Sequence, residues 1–343
     1  MNSRVRNLLV VGAVVLFAAV GGIFVERGLG PNGQEQRGSA RDEQPQRRPI
    51  IQIVRPQAGL PSVADTIATL CPSIAAIAPA GASVPVATGF AVSTDGWVLA
   101  ATASLPTGNL EVHFGSGVAV GVSEIRQDPV SGLSLLHSEA TGLRPVRLND
   151  QGFPNVGDFG VAILDPAAQG CSAQAAMIAS DFLVDGGGSA AYVRLQPMGG
   201  DLPVGAPIIS SDSQVIGVVA AGAPANSVIP AEVVGDVANE LLRGTLSPMT
   251  RFGFRAKDFD AAFAARLSNS RSVGTAVVLV QANSPAAKAG LRAGDTVVAV
   301  NGSPVASASE LGRALDGAGT KAAVDIARGD QRLTLTIAQA PGS

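Results

Sequence analysis

The chain has 343 residues, of which 46% are hydrophobic and 15% are charged, and its formal net charge is −3. This composition excludes an intrinsically disordered protein, which needs low hydrophobicity and high charge, and the 24 Lys and Arg residues give no strong basic field to hold nucleic acid. Two Cys and two His leave little room for a structural zinc site, whereas a calcium site built from carboxylates is not excluded by counting. No metal site is assigned and no cofactor is predicted.

The first predicted element is an apolar helix. Residues Leu8–Val25 form a run of 18 residues without a charge, and Arg4 and Arg6 precede it. A helix of about 20 apolar residues spans the bilayer core, and the two arginines before it favour an N-terminus on the cytoplasmic side. We therefore predict a signal-anchor transmembrane segment over residues 1–26. A cleaved signal peptide is the alternative, and both place the bulk of the chain outside the cytoplasm.

Two globular domains are predicted after a linker. Residues 27–60 are rich in Gly, Pro, Gln and Arg without an apolar period, which indicates a flexible linker. Over residues 61–247, short apolar runs alternate with turn signals and favour an antiparallel β-barrel or sandwich. Helices are predicted from Ser62 and over Ala231–Arg243, where apolar residues recur three or four apart. A second domain covers residues 248–343. Its predicted strands lie near 275–281, 296–300 and 323–328, and its helix near 307–315.

Several motifs of the first domain resemble those of the HtrA/Deg-type, trypsin-like serine proteases. The sequence SVPVATGFAVSTDGWVLAATASL at 83–105 is similar to the family's first strands with their Asp-Gly turn. FPNVGDFGVAI at 153–163, GAPI at 205–208 and VIP at 228–230 follow in the family's order. The resemblance implies a mostly β fold, with a trypsin-like double β-barrel followed by one PDZ domain.

The last hundred residues carry the strongest resemblance. SPAAKAGLRAGD at 284–295, followed by VNG at 300–302, is similar to the core of an HtrA-type PDZ domain. Such a domain binds the C-terminus of a partner along a sheet edge, and backbone N–H groups hold the terminal carboxylate. The peptide-binding residues that the resemblance implies are Arg251, Phe252, Gly253, Phe254 and Leu311. Core packing is the alternative role for the two Phe residues.

The three positions that align with the family's catalytic triad depart from its pattern. Ala103 stands where the family has His, Gly132 where it has Asp, and Val204 where it has Ser. None of these residues can exchange a proton or attack a carbonyl. Leu202 replaces the Gly whose N–H helps to form the oxyanion hole, and Pro203 removes a backbone donor. We therefore predict a protease fold without hydrolytic activity.

No relocated Ser–His–Asp set is evident in the sequence. His113 and His137 fall on predicted strands, where an exposed His is ordinary. Ser189 follows three Gly residues and superficially resembles a nucleophile turn, but it precedes a different strand from the family's serine. A Gly-rich hairpin loop is the better interpretation of residues 185–189.

Cys71 and Cys171 are the only cysteines of the chain. An even pair in an exported protein predicts one disulfide, which would close a loop of about a hundred residues. Two unrelated buried thiols are the alternative.

Together these features predict a pseudoprotease of the bacterial inner membrane, single-pass, with its globular domains in the periplasm. It would act as an adaptor, chaperone or regulator that binds proteins or peptides with exposed C-termini, and the resemblance also implies a homotrimer. One alternative is an active serine endopeptidase of protein quality control that uses relocated residues. Another is a structural scaffold whose barrel forms the interface.

Overall fold

The computed structural model describes residues 62–115, 118–149, 154–164, 170–184, 191–221, 224–259 and 274–339. All described residues belong to one compact unit, Gln57–Ser343. The predicted transmembrane segment and linker therefore lie outside the described residues. None of the described helices combines the length and the apolar character that crossing a membrane requires.

The first six strands close into a β-barrel. They are β1 (Ile74–Pro79), β2 (Ala87–Ala91), β3 (Trp97–Ala101), β4 (Leu110–Phe114), β5 (Val120–Asp128) and β6 (Leu133–Ser138). They pair antiparallel in the order β1-β2-β3-β6-β5-β4, and β4 pairs back with β1. The predicted turn between β2 and β3 requires its glycine, because a Cβ on Gly96 would lie 1.9 Å from the carbonyl oxygen of Ser138.

The next seven strands form a second barrel. They are β7 (Arg147–Leu148), β8 (Phe159–Leu164), β9 (Ser172–Val184), β10 (Ala191–Pro197), β11 (Pro207–Ile209), β12 (Gln214–Val219) and β13 (Ser227–Pro230). Six of them follow the order β11-β8-β9-β10-β13-β12, and β12 pairs back with β11 to close the sheet. The short β7 adds to β12 in parallel. The two barrels confirm the predicted mostly β architecture.

Two helices flank the barrels where the sequence places them. Helix α1 (Val63–Leu70) begins with a capping box, in which the Ser62 side chain accepts a hydrogen bond from the Asp65 N–H at 3.1 Å. Helix α2 (Ala231–Arg243) follows β13 and buries one apolar face against the barrels. It ends at Gly244, whose φ of +68° is the left-handed conformation typical of a helix C-cap.

The predicted disulfide is confirmed. Cys71, directly after α1, is bonded to Cys171, directly before β9, with 5.8 Å between the Cα atoms. All six strands of the first barrel lie between these two residues in sequence. The bond therefore ties the helix that precedes the first barrel to the second barrel. A contact of 3.3 Å between the hydroxyls of Thr66 and Ser213 adds to this connection.

The described residues of the predicted PDZ domain follow α2 and form an antiparallel sheet and three short helices. Its strands are β14 (Phe254–Phe259), β15 (Gly274–Val280), β16 (Thr296–Val300), β17 (Ser303–Pro304), β18 (Lys321–Arg328) and β19 (Gln331–Ala338). Its helices are α3 (Pro248–Phe252), α4 (Pro285–Lys288) and α5 (Ala308–Gly317). The sheet order is β14-β15-β16-β18-β19, with β17 beside β16, so β14 is an edge among the described strands.

The PDZ sheet shares a core with the barrels. Val278 and Leu279 of β15 belong to the same buried cluster as the apolar face of α2. A buried ion triad adds to this contact, because Arg255 of β14 bonds Asp128 at the end of β5 over 2.8 Å and Glu240 of α2 over 3.0 Å. The PDZ domain is therefore fixed to both barrels by apolar and ionic contacts.

Asp128 is fully buried, yet it stays ionised. Burial by itself would raise the pKa of this carboxyl group. The hydrogen bond and the charge of Arg255, together with hydrogen bonds from Ser131, outweigh burial and hold the pKa below its usual value. The carboxylate thus depends on a cation that the PDZ domain supplies.

Candidate functional site

The three positions that align with a catalytic triad lie in one region of the fold. Ala103 is in a one-turn 3-10 helix directly after β3. The N–H of its neighbour Thr102 donates to the carbonyl oxygen of Gly132 over 2.8 Å. Gly205, the neighbour of Val204, is so close to β3 that an added Cβ would lie 3.2 Å from the Cβ of the last β3 residue. The structure thus brings the surroundings of all three positions together.

The polar groups beside these positions are hydroxyls that bond within the fold. The hydroxyls of Thr102 and Ser134 lie 2.7 Å apart. Ser104 donates to the carbonyl oxygen of Ala101 over 2.8 Å. A serine hydroxyl becomes a nucleophile only when a base accepts its proton, and these contacts supply no base.

Two backbone N–H groups that flank Val204 donate within the protein. The N–H of Leu202 donates to the side-chain oxygen of Asn226 over 2.8 Å, and the N–H of Gly205 donates to the backbone of β12 over 2.9 Å. Pro203 has no N–H. An oxyanion hole needs donors that point at the substrate oxygen, and the donor at position 202 is already engaged.

Sequence reasoning missed Asn226. It stands 24 residues from Leu202 in the chain, and its side chain gives no motif. Its φ of +62° places it in the left-handed region, which Asn tolerates better than most residues. The only sequence signal for this position is that a turn with a left-handed residue favours Asn.

The two histidines lie on strands. His137 of β6 has its Nδ1 atom 3.1 Å from the hydroxyl oxygen of Ser123, and its Nε2 atom donates to the carbonyl oxygen of Asp95 over 3.1 Å. The Nε2 atom of His113, on β4, is buried without a hydrogen bond to any described residue. Both ring nitrogens of His137 are thus engaged in local contacts. Ser189 lies outside the described residues.

The predicted carboxylate loop forms the end of α3 and the start of β14. The N–H of Gly253 donates to the carbonyl oxygen of Thr250 over 2.9 Å and so caps α3. Gly253 has a φ of +81°, and a Cβ there would lie 2.2 Å from the Cβ of Ser284, so the position requires glycine. Phe252 and Phe254 are fully buried in the PDZ core. In this conformation the Gly253 N–H is therefore used in capping α3.

The other two predicted peptide-binding residues also have structural contacts. Arg251 donates to the carbonyl oxygen of Leu315 over 2.6 Å and pairs with Asp316 at 3.1 Å, which ties α3 to α5. Leu311 is fully buried in the PDZ core. The role of these residues in binding a peptide stays a prediction.

A cavity of about 780 Å³ lies between helix α2, strand β14 and helix α5, and none of the five predicted peptide-binding residues lines it. Its walls are residues of α2, the segment 245–247 with the start of α3, residues 255–258 of β14, and one side of α5. Because β14 is an edge strand, its backbone offers a place for an added strand. Among the described residues, no group of three or more His, Cys, Asp or Glu side chains is placed to hold a metal ion.

Comparisons with known proteins agree with this architecture. A family model described as a PDZ domain matches residues 277–328. A probable periplasmic serine endoprotease, DegP-like, of Pseudomonas putida (strain GB-1) is 26% identical over 267 residues, which cover 73% of this chain and 54% of the relative. A putative serine protease, HhoA, of Synechocystis sp. is 32% identical over 147 residues, 39% of this chain and 37% of the relative. The chain spans about half the length of the DegP-like relatives that it matches.

A solved structure shows the same fold. The structure titled "HtrA-type protease AlgW with decapeptide" superposes with a TM-score of 0.50 at 16% identity, and the match covers 82% of this chain and 99% of AlgW. The fold and the relatives define a trypsin-like barrel pair with a PDZ domain. They confirm the resemblance to the HtrA/DegP-like serine protease family that the motifs indicate.

Proposed function

We propose that this chain is a membrane-anchored, HtrA-like pseudoprotease of the periplasm that binds proteins or peptides through its PDZ domain. The observation that carries the proposal is the content of the triad region. The fold brings the three positions together, but they hold Ala103, Gly132 and Val204. Loss of one triad member already removes most of the catalysis of a serine protease, and here all three are absent.

The oxyanion region supports the same proposal. One preorganised donor contributes about a hundred-fold or more to the rate of acyl transfer. The N–H of Leu202 is engaged by Asn226 and cannot serve a substrate oxygen in this conformation. The chain thus lacks the serine nucleophile, and the Leu202 N–H is not available to stabilise a transition state.

The parts that remain intact are those that bind. The PDZ domain keeps an edge strand and a cavity beside it, and it is fixed to the barrels through Arg255. AlgW, which shares this fold, has been solved with a decapeptide. Such a module favours a role as an adaptor, chaperone or regulator that presents bound protein to other components of the envelope.

Location in the periplasm is supported by the relatives and by the N-terminal sequence. The DegP-like relatives are named as periplasmic, and Leu8–Val25 is long enough for one span. A periplasm-dependent reporter fused after residue 60 should be active. Activity of a cytoplasm-dependent reporter at the same point would contradict this topology.

Two assays test the absence of catalysis. The purified full-length chain should neither cleave unfolded casein nor acquire a covalent label from a fluorophosphonate probe, and an active HtrA-type protease in the same buffer provides the positive control. Casein cleavage that remains after Val204→Ala but disappears with a variant of another serine would overturn the proposal.

An active endopeptidase with relocated residues is the second candidate, and one observation favours it. The hydroxyl of Ser123 lies 3.1 Å from Nδ1 of His137. Ser123→Ala distinguishes the two functions, because a relocated enzyme would lose its probe label in this variant. The same hydroxyl also donates to the His137 carbonyl oxygen at 3.2 Å, which is the contact expected of a structural serine.

A further inference from the structure

The cavity beside β14 has a wall that does not come from the PDZ domain. Edge strand β14 and helix α5 form two sides, as they would in an isolated PDZ domain, and helix α2 of the second barrel forms a third. The Arg255 ion triad and the shared apolar core hold α2 against the PDZ sheet. A ligand in this cavity would therefore contact both domains at once.

The acidic side chains of the cavity are already engaged. The formal charges of the lining residues cancel, with four acidic and four basic side chains, so pairing decides which charges remain for a ligand. Glu240 pairs with Arg255, Asp236 with Lys257 and Asp316 with Arg251, while Asp258 accepts hydrogen bonds from a hydroxyl and from the first N–H of α5. These contacts neutralise much of the negative charge locally.

Two arginines of the cavity, unlike its acidic residues, have no polar partner among the described residues. Arg243, in the last turn of α2, and Arg313, on α5, are both exposed and both line the cavity. Neither makes a hydrogen bond or an ion pair with another described residue. They stand on walls from different domains, and the fixed contact between the domains sets their relative position. Arg243 and Arg313 are thus the two lining cations without an ionic partner, and Asp258 is the lining carboxylate whose donors, a hydroxyl and an N–H, carry no charge.

Two groups of the predicted carboxylate loop are already engaged within the PDZ domain. The Gly253 N–H, which the resemblance assigns to a terminal carboxylate, caps helix α3 instead. Arg251, the cation next to this loop, is held by Leu315 and Asp316. The Gly253 N–H and the Arg251 side chain are therefore both engaged within the PDZ domain, and neither residue lines this cavity.

We infer that this cavity binds an extended peptide segment through its acidic side chains, with the segment paired to β14 and its carboxylates bonded to Arg243 and Arg313. A free C-terminus is not required. The inference rests on the proposed peptide-binding function and specifies its ligand class. Guanidinium groups bind carboxylates with two parallel hydrogen bonds, which suits arginine for this role.

The test uses two fluorescein-labelled decapeptides with amidated C-termini, one with Glu alternating with Val and Thr and one with Gln at each Glu position. Fluorescence anisotropy with the full-length chain should show tighter binding of the Glu peptide, and about 0.5 M salt should weaken it. The double variant Arg243→Gln, Arg313→Gln should weaken Glu-peptide binding about five-fold or more. Arg332→Gln, an exposed arginine of the same domain outside this cavity, is the matched control and should have no effect.

The possible results separate this inference from the proposed function. Equal affinity for the Glu and Gln peptides, or equal loss in the Arg332→Gln control, would overturn the inference and leave peptide binding in place. Binding of an apolar decapeptide only when its C-terminus is free would do the same. Failure of every peptide to bind would overturn the inference and count against the proposed function as well. Thermal melting of each variant shows that the fold is retained.

Discussion

The triad region and the PDZ cavity differ in what the fold has preserved. In the region that aligns with the triad, Thr102 bonds to Gly132 and the Leu202 N–H bonds to Asn226, while Ala103, Gly132 and Val204 carry no group that could react. In the cavity the charged groups are present, and a buried ion triad through Arg255 fixes the walls that carry them. If the proposed loss of catalysis holds, the barrels act as a rigid support for the cavity, because the Arg255 contacts fix the PDZ sheet to them.

The first test of the barrels as a rigid support is removal of the disulfide. Cys171→Ala should lower the free energy of unfolding by about 4 kcal/mol, since the bond closes a loop of about 100 residues and restricts the unfolded chain. Urea unfolding of wild type and variant measures this loss. Reduction of the wild type should reproduce it, and an unchanged midpoint in both cases would show that the bond does not stabilise the barrels.

The support for the cavity depends on Arg255. Arg255→Ala would leave Asp128 buried without its cation, and breaking a buried ion pair in this way costs about 3–5 kcal/mol. The free energy of unfolding should fall by this amount, and peptide binding should weaken because α2 is no longer held. Arg332→Ala, which changes an exposed arginine of the same domain outside the cavity, is the control. Equal effects of the two variants would contradict a special role for Arg255.

Acid should weaken the same junction. The folded-state pKa of Asp128 lies below its usual value, so its ion pair contributes stability above the unfolded pKa of about 4 and loses it as the pH falls through the folded pKa. Urea midpoints between about pH 6 and pH 3 should fall more steeply for the wild type than for the double variant Asp128→Asn, Arg255→Gln. Parallel curves would show that another carboxyl group governs acid unfolding.

The sequence predicted the features that depend on local pattern. The helix that starts at Ser62, the helix Ala231–Arg243 and the pairing of the only two cysteines were all accessible from neighbouring residues or from counting. The contact between Leu202 and Asn226 and the ion pair between Asp128 and Arg255 were not, because they join residues 24 and 127 positions apart. A lone Asn or Arg gives no periodic signal, so only the folded chain shows what it contacts.

The smallest expected effect concerns restoration of the nucleophile. Val204→Ser should produce no casein cleavage and no probe label, because Ala103 supplies no base and the Leu202 N–H remains bonded to Asn226. Thermal melting should confirm that the variant folds. Measurable labelling of this single variant would show that a base lies close enough to act and would contradict the proposed loss of function.

The combined variant Ala103→His, Gly132→Asp, Val204→Ser sharpens the same comparison. A Cβ atom added at Gly132 would meet no atom outside its chain neighbours within 4 Å, so the first side-chain atom causes no clash there. The φ of +69° at Gly132, however, is the left-handed region, where a residue with a Cβ costs about 1–2 kcal/mol. The backbone has thus adapted to glycine, and the restored Asp would shift the turn that holds it. We expect cleavage to stay undetectable until Asn226→Ala also frees the Leu202 donor, and activity of the triple variant alone would show that the turn still accepts a triad.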